Sequence, residues 1–300
     1  MAETFVTSIP KSLVERFKKD LDDQGFVLTK PPHTLFQAKK PGVSCTLYAS
    51  LKLTVQGKNM KEFIEFYLEP EILKEPIYTY AKELTLSKTD LRPHIGVDEA
   101  GKGDYFGPLC VAGVFADEKT IPLLIGLGVR DSKKLSDPQI SKIAKEIVKI
   151  VPNYIVRLWP EKYNELYASF KNLNSLLAWC HATVIENIHL HCQSPLAIID
   201  KFAHERVVES ALAKKGVSIT LEQRIRGEED VVVAAASILA RWAFVEGLAT
   251  TEKRIQETLP KGASQAVVNT AKKLVRTHGP EILYKAAKVH FKISQEASKT

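Results

Sequence analysis

Cysteine is scarce in this chain, with four among 300 residues, at positions 45, 110, 180 and 192. None forms a C-x-x-C pair, which argues against a disulfide framework and against a cysteine-built zinc site. No run of eighteen apolar residues is visible, so no membrane span is expected. The opening MAETFVTSIP lacks a basic stretch leading into an apolar one, so no secretory signal is expected, and the reducing cytoplasm is the expected compartment. The GxxxxGK[ST] phosphate loop is absent, as is any internal repeat. Glycine and proline, at 15 each, are too few for a collagen-like or low-complexity chain.

What remains is ordinary globular composition, 45% hydrophobic and 26% charged, in a length that suits one large domain or two smaller ones. The formal charge of +7 favours a polyanionic partner, though weakly. Its distribution is more informative. Residues 251–300 hold ten Lys/Arg against four Asp/Glu, whereas residues 1–85 hold twelve against eleven. A basic C-terminal face can be a solvated helix surface or a phosphate-facing one.

The pattern divides into two pieces. Leu13, Val14, Phe17 and Leu21 recur at helical spacing over 10–24, and Gly25 ends that helix. Alternating segments around 26–38, 43–50 and 51–57 predict strands, with turns at Pro31–Pro32 and Pro41–Gly42. A second helix is predicted near 59–68, with Met60, Phe63, Ile64 and Tyr67 on one face. Residues 1–84 therefore read as a small α+β domain and residues 85–93 as a linker. Residues 94–300 read as an α/β domain with a helical C-terminal region. Strands are expected at HIGVDEA, LCVAGVFA, YIVRLWP, LAIID and 217–223. Helices are expected at 137–150 with Asp137 as N-cap, at 173–191, near 204–214, and over the almost wholly apolar 230–248.

Carboxylates stand where apolar elements end. Asp98 and Glu99 close HIGV, Asp200 closes LAII, and Glu228, Glu229 and Asp230 precede the apolar helix. One such residue alone is most often a cap or a solvated charge. Several converging would repel one another unless a cation intervened, and oxygen donors without His or Cys clusters select magnesium or manganese over zinc. The turn after Glu99 holds Gly101, Gly103 and Gly107, expected to permit positive φ, with Lys102 between the first two. No Ser–His–Asp arrangement is evident. His33, His94, His181, His189, His191, His204 and His278 read as structural or surface residues, and His290 has no derivable role.

The segment GVDEAGKGDYFGPLCVAGVF resembles the signature of type 2 ribonucleases H, and its Tyr-Phe resembles the HIII branch in particular. Asp131-Ser132-Lys133-Lys134-Leu135, AIIDKFA, VAAASILAR, LPKGAS and KVHFK follow in the order of that family, so the resemblance spans roughly residues 94–292. It implies an RNase H-like catalytic domain with a mixed sheet, preceded by a small α+β TATA-binding-protein-like domain that grips substrate. It also implies hydrolysis of the RNA strand of RNA/DNA hybrids, leaving 5′-phosphate and 3′-hydroxyl ends, by a two-metal-ion mechanism with Mg2+ or Mn2+. Asp98, Glu99 and Asp200 match the first three catalytic, metal-binding acids. The resemblance implies a fourth catalytic acid at Glu228 or Glu229, with Glu228 the choice and Asp230, which reads as an N-cap, a third option.

Substrate contacts are expected from the amides of Gly101, Lys102 and Gly103, which are candidates to sense the 2′-hydroxyl, and from Ser132, Lys133 and Lys134. In the first domain, Phe36 and Tyr48 with Lys39, Lys40, Lys52 and Lys58 are candidates for a hybrid-facing sheet surface, although core packing accounts equally well for the aromatics. The chain is expected to act as a monomer, away from membranes. Competing readings are HII-type incision at single ribonucleotides in duplex DNA, a non-catalytic hybrid-binding protein and, more distantly, a metal-dependent phosphatase.

Overall fold

The computed structural model describes residues 4–74, 89–130, 132–202 and 205–299, with the side chains of Lys134 and Glu205 left out. Residues 85–88 of the expected linker, Asp131 of the Asp-Ser-Lys-Lys-Leu segment, and Ala203 and His204 lie outside the described residues. The chain separates into two compact units, residues 1–89 and 90–300.

The first unit is a five-stranded antiparallel sheet backed by helices. Its strands are β1 (Thr4–Ser8), β2 (Val27–Thr29), β3 (Thr34–Lys40), β4 (Val43–Tyr48) and β5 (Lys52–Gln56), in the order β1-β5-β4-β3-β2. Strand β1 has no counterpart in the sequence reading. It is an edge strand whose side chains are all at least partly exposed, so its pattern lacks a buried face. Helix α1 (Val14–Asp23) lays Val14, Phe17 and Leu21 against the sheet, joined by Ala38, Cys45, Leu47, Leu53 and Val55. Helix α2 (Met60–Phe63) continues as a wider, π-type winding over Ile64–Leu73, past Pro70. That extension exceeds the predicted 59–68. Proline lacks the amide that normal helical winding would use, and the wider turn accommodates it.

The second unit is built on a mixed five-stranded sheet: β6 (His94–Ala100), β7 (Leu109–Ala116), β8 (Asn153–Leu158), β9 (Leu196–Asp200) and β10 (Thr220–Arg224). The order is β10-β9-β6-β7-β8, with β10, β9 and β6 parallel and β6, β7 and β8 antiparallel. Helices α3 (Ile121–Gly126), α4 (Asp137–Ile150), α5 (Pro160–Phe170), α6 (Leu173–Cys192), α7 (Glu205–Lys214) and α8 (Val231–Ile255) surround it. Helix α8 packs with α3 and α4 on one face of the sheet, and α6 covers the other. Helices α9 (Gln265–His278), α10 (Glu281–Ala286) and α11 (Lys292–Ala297) close a further apolar cluster around Tyr105 and Phe106.

Helix α8 is long and apolar enough by composition to cross a membrane, but 67% of its most apolar window is buried inside the fold. One local expectation is corrected, and one helix has no counterpart in the sequence reading. The N-cap of α4 is Ser136, which forms a capping box with Gln139, whereas Asp137 is the first helical residue and pairs with Arg241 and Lys261. The helix without a counterpart is α5, which Pro160 opens at the first helical position.

Candidate active site

Strand register brings the acids together. Within β6, Asp98 and Glu99 face opposite sides of the sheet, as neighbours in a strand must. Asp98 lies opposite Ala112, on the α8 side, and Glu99 opposite Val111, on the α6 side. Strands β6 and β9 run parallel with Val97 beside Ile199, so Asp98 and Asp200 occupy the next position of the register. Gly227 follows β10, and its amide donates to Asp200 Oδ1 at 2.8 Å. A side chain at Gly227 would stand 2.8 Å from the Asp200 backbone, so only glycine lets this turn carry Glu228 past Asp200. The turn is bracketed on both sides. Arg224 pairs with Asp230 at 3.2 Å, and Asp230 caps α8 by accepting from the amides of Val232 and Val233.

Asp98, Glu99, Asp200 and Glu228 thus line one open cavity of ≈ 510 Å³, together with Gly101, Lys102, Gly103, Ser132 and Lys133. Glu229 points elsewhere: it is 73% exposed and pairs with Arg226. The electrostatics are those of crowded carboxylates. Burial, the charge of Glu99 and the charge of Asp200 push Asp98 up to about 7, against a hydrogen bond from Ser237 and another from the Glu99 amide. Burial also pushes Glu99 up, but His181 and Lys102 outweigh it and hold the carboxyl below its ordinary value. His181 Nε2 lies 3.1 Å from Glu99 Oε2, and Lys102 Nζ lies 3.4 Å from Glu99 Oε1.

The sequence reads His181 as structural or surface. It is fully buried on α6 against Glu99 and Phe202, with Nδ1 unpartnered. Its position inside an apolar helix gave no signal of that contact. Ser237, Arg241 and Lys261 also line the cavity without having been singled out, although the first two stand four apart in VAAASILAR and the third lies in LPKGAS. Ser132 turns its hydroxyl inward. It is 5% exposed, with Oγ 2.9 Å from Ser237 Oγ, so it supports the residue that bonds Asp98. Gly101 has φ +86° and its missing side chain would overlap Pro108 O at 2.4 Å, as a tight turn requires. Gly103, expected to use positive φ, does not; it is exposed, with open space where a side chain would be. In the first unit Phe36 is 2% exposed and packs in the core, which removes it from any outer surface, whereas Tyr48 is exposed at a strand end.

The donor set is oxygen-rich and anionic, which suits a hard divalent cation. Among the described residues no group of three or more His, Cys, Asp or Glu is arranged so that it could hold a metal ion as it stands. The acids share the cavity's walls, with Lys102 beside Glu99 and Lys133 Nζ 3.7 Å from Glu228. The carboxylates fit such an ion in kind, and the crowding that raises Asp98 is what a cation would relieve.

A mixed sheet whose parallel strands end on carboxylates beside a glycine turn is an RNase H-like arrangement. A family model described as Ribonuclease HII matches residues 95–294, and one described as a domain of unknown function (DUF3378) matches residues 4–77. A relative in Protochlamydia amoebophila (strain UWE25), called Ribonuclease HIII, is 50% identical across 96% of this chain and 94% of its own length. Another of the same name in Chlamydia felis (strain Fe/C-56) is 48% identical across 99% of this chain and 98% of its own. Among solved structures, the crystal structure of Bst-RNase HIII in complex with Mn2+ is 28% identical, with a TM-score of 0.67 over 99% of this chain and 98% of that one. The chain belongs to the ribonuclease HII family of endoribonucleases, and over nearly its full length it is similar to members called ribonuclease HIII.

Proposed function

We propose that the chain hydrolyses the RNA strand of RNA/DNA hybrids at this cavity, with Asp98, Glu99, Asp200 and Glu228 as its catalytic acids. The observation that carries the assignment is the meeting of those four carboxylates around one open cavity beside the Gly101–Gly103 turn. Asp98, Glu99 and Asp200 would hold divalent magnesium or manganese. Such ions, when bound, strengthen an attacking water and offset charge on the leaving oxygen. Asp98 would be the natural shared ligand, since Glu99 flanks it along the strand and Asp200 across the sheet. The Glu99 amide and Ser237 orient its carboxylate, while His181 fixes Glu99.

The open side of Gly103 lets a ribose approach the backbone of residues 101–103, where an amide can sense the 2′-hydroxyl. Lys102 and Lys133 supply cations for phosphates at the cavity, and Lys134 is assigned the same role from its place in the segment. Ser132 acts at one remove, through Ser237. The first unit binds the hybrid through the outer face of its sheet, where Lys39, Tyr48 and Lys52 are exposed. Lys40 and Lys58 flank that face. We read the chain as a monomer of the cytoplasm.

The test is a cleavage assay with magnesium or manganese on a uniform RNA/DNA hybrid and, separately, on duplex DNA carrying one ribonucleotide. Cutting of the RNA strand alone, with little incision at the lone ribonucleotide, is the expected result. Efficient incision there would favour the HII-type reading. Hybrid binding without metal-dependent cleavage would make the chain a binding protein.

A further inference from the structure

The sequence contains two C-terminal segments, LPKGAS and KVHFK, to which the chemistry above gives no part. Both fold onto the turn that follows Glu99. The Tyr105 amide donates to Gly262 O at 2.9 Å, and the Gly262 amide donates to Asp104 Oδ1 at 2.6 Å. The Gly107 amide donates to Ala286 O and the Lys288 amide to Tyr105 O, both at 2.9 Å. At the centre of these contacts is a buried cation. Lys288 is 0% exposed, and its ammonium donates to the carbonyls of Asp104 and Gly107 at 2.8 Å and of Phe106 at 3.4 Å.

A lysine has three N–H donors, and here each has a carbonyl. Positive φ at Gly101 and Gly107 folds the turn tightly enough to aim these carbonyls inward. Buried acceptors need donors, and among the described residues no backbone amide donates to these three carbonyls. Burial depresses the amine to about 7, against the pull of Asp104. An ordinary core would place an apolar residue at such a position. A lysine at this position fixes three converging carbonyls in relation to one another.

We propose that Lys288 is a positioning residue of the reaction: its ammonium, remote from substrate, sets the shape of the 101–107 turn and thereby the placement of the amides at Gly101, Lys102 and Gly103. The inference rests on the functional reading above, in which those amides meet the ribose beside the scissile phosphate. Phosphate contacts elsewhere dominate hybrid affinity, whereas the turn governs alignment at the reacting bond.

Lys288→Met keeps the length and removes the donors; Lys288→Gln restores an amide donor on a shorter arm. Turnover is measured on a uniform RNA/DNA hybrid, per folded molecule, with amide hydrogen exchange followed at residues 101–107. For Lys288→Met we expect a cooperative melt, kcat lowered about 10- to 100-fold, KM within about threefold, and faster exchange at Tyr105 and Gly107. Lys288→Gln, with its donor on a shorter arm, is expected to lose less turnover than Lys288→Met but more than about threefold. A merely structural role would lower the melting temperature and the folded fraction while leaving kcat per folded molecule intact. Turnover by Lys288→Met within about twofold of wild type would overturn the proposal. Should Lys288→Met not fold, Lys288→Gln decides by the same twofold limit. A wild-type chain that does not cut the hybrid would instead remove the functional reading itself.

Discussion

The two units treat polar side chains in opposite ways. In the first, burial alternates along β4 and along β3 as far as Ala38, with Phe36, Ala38, Cys45 and Leu47 in the core and Gln37, Lys39, Ser44 and Thr46 turned outward. The charges of that sheet stay in water, where they cost little, although Glu69 on the helical side is buried, 3% exposed. In the second, four carboxylates are drawn to one cavity, and burial together with like charge lifts Asp98 to about 7. A surface that only grips a polyanion can leave its charges solvated. A site that rearranges a phosphate must crowd groups that repel one another, and the surrounding fold has to hold them there.

The largest expected effect cuts into the crowded site. Asp98→Asn should reduce metal-dependent cleavage by about 10³-fold while hybrid binding, measured by fluorescence anisotropy, stays within about threefold. Near-normal turnover would end the assignment of Asp98 as the shared ligand. Next comes the fourth acid. Glu228→Gln should cost about 10²-fold in kcat, whereas Glu229→Gln, which removes only an exposed pair with Arg226, should cost less than about threefold. A reversed ranking would move the fourth acid to Glu229.

A smaller effect tests the contrast between the units directly. Deleting residues 1–84 should raise KM about tenfold or more and leave kcat within about threefold, because every proposed carboxylate lies in the second unit. An unchanged KM would mean the outer sheet face has another task. The smallest effect is thermal and is read in metal-free buffer. The folded pKa of Asp98 is raised to about 7 from an ordinary 3.8. The folded state therefore binds this proton more tightly than the unfolded state, and ionised Asp98 destabilises the fold. That penalty is complete above pH 7 and fades as pH falls toward 4. Asp98→Asn should then melt about 2–5 °C above wild type at pH 8, with the gap closing at pH 4.5. A gap that does not depend on pH would locate the strain in packing instead of charge.

The sequence by itself determined a good deal. Alternation and helical spacing predicted most of the strands and α1, because each residue's burial there follows from its own place in a repeating element. The resemblance, carried by local segments such as GVDEAGKGDY, pointed to Asp98, Glu99 and Asp200. Edge strand β1 and the wide winding past Pro70 escaped, since neither leaves a periodic apolar face. What only the tertiary structure decided depends on contacts between distant segments. His181 meets Glu99 from 82 residues away, Ser132 reaches Asp98 through Ser237, and Lys288 meets the carbonyls of a turn more than 180 residues earlier. Glu228 and Glu229 are chemically equivalent neighbours in sequence. The choice between them for the cavity wall is made by the close approach of Gly227 to Asp200, which aims one inward and leaves the other in solvent. Local pattern encodes which face of an element is buried; it does not encode which buried groups from different elements will meet.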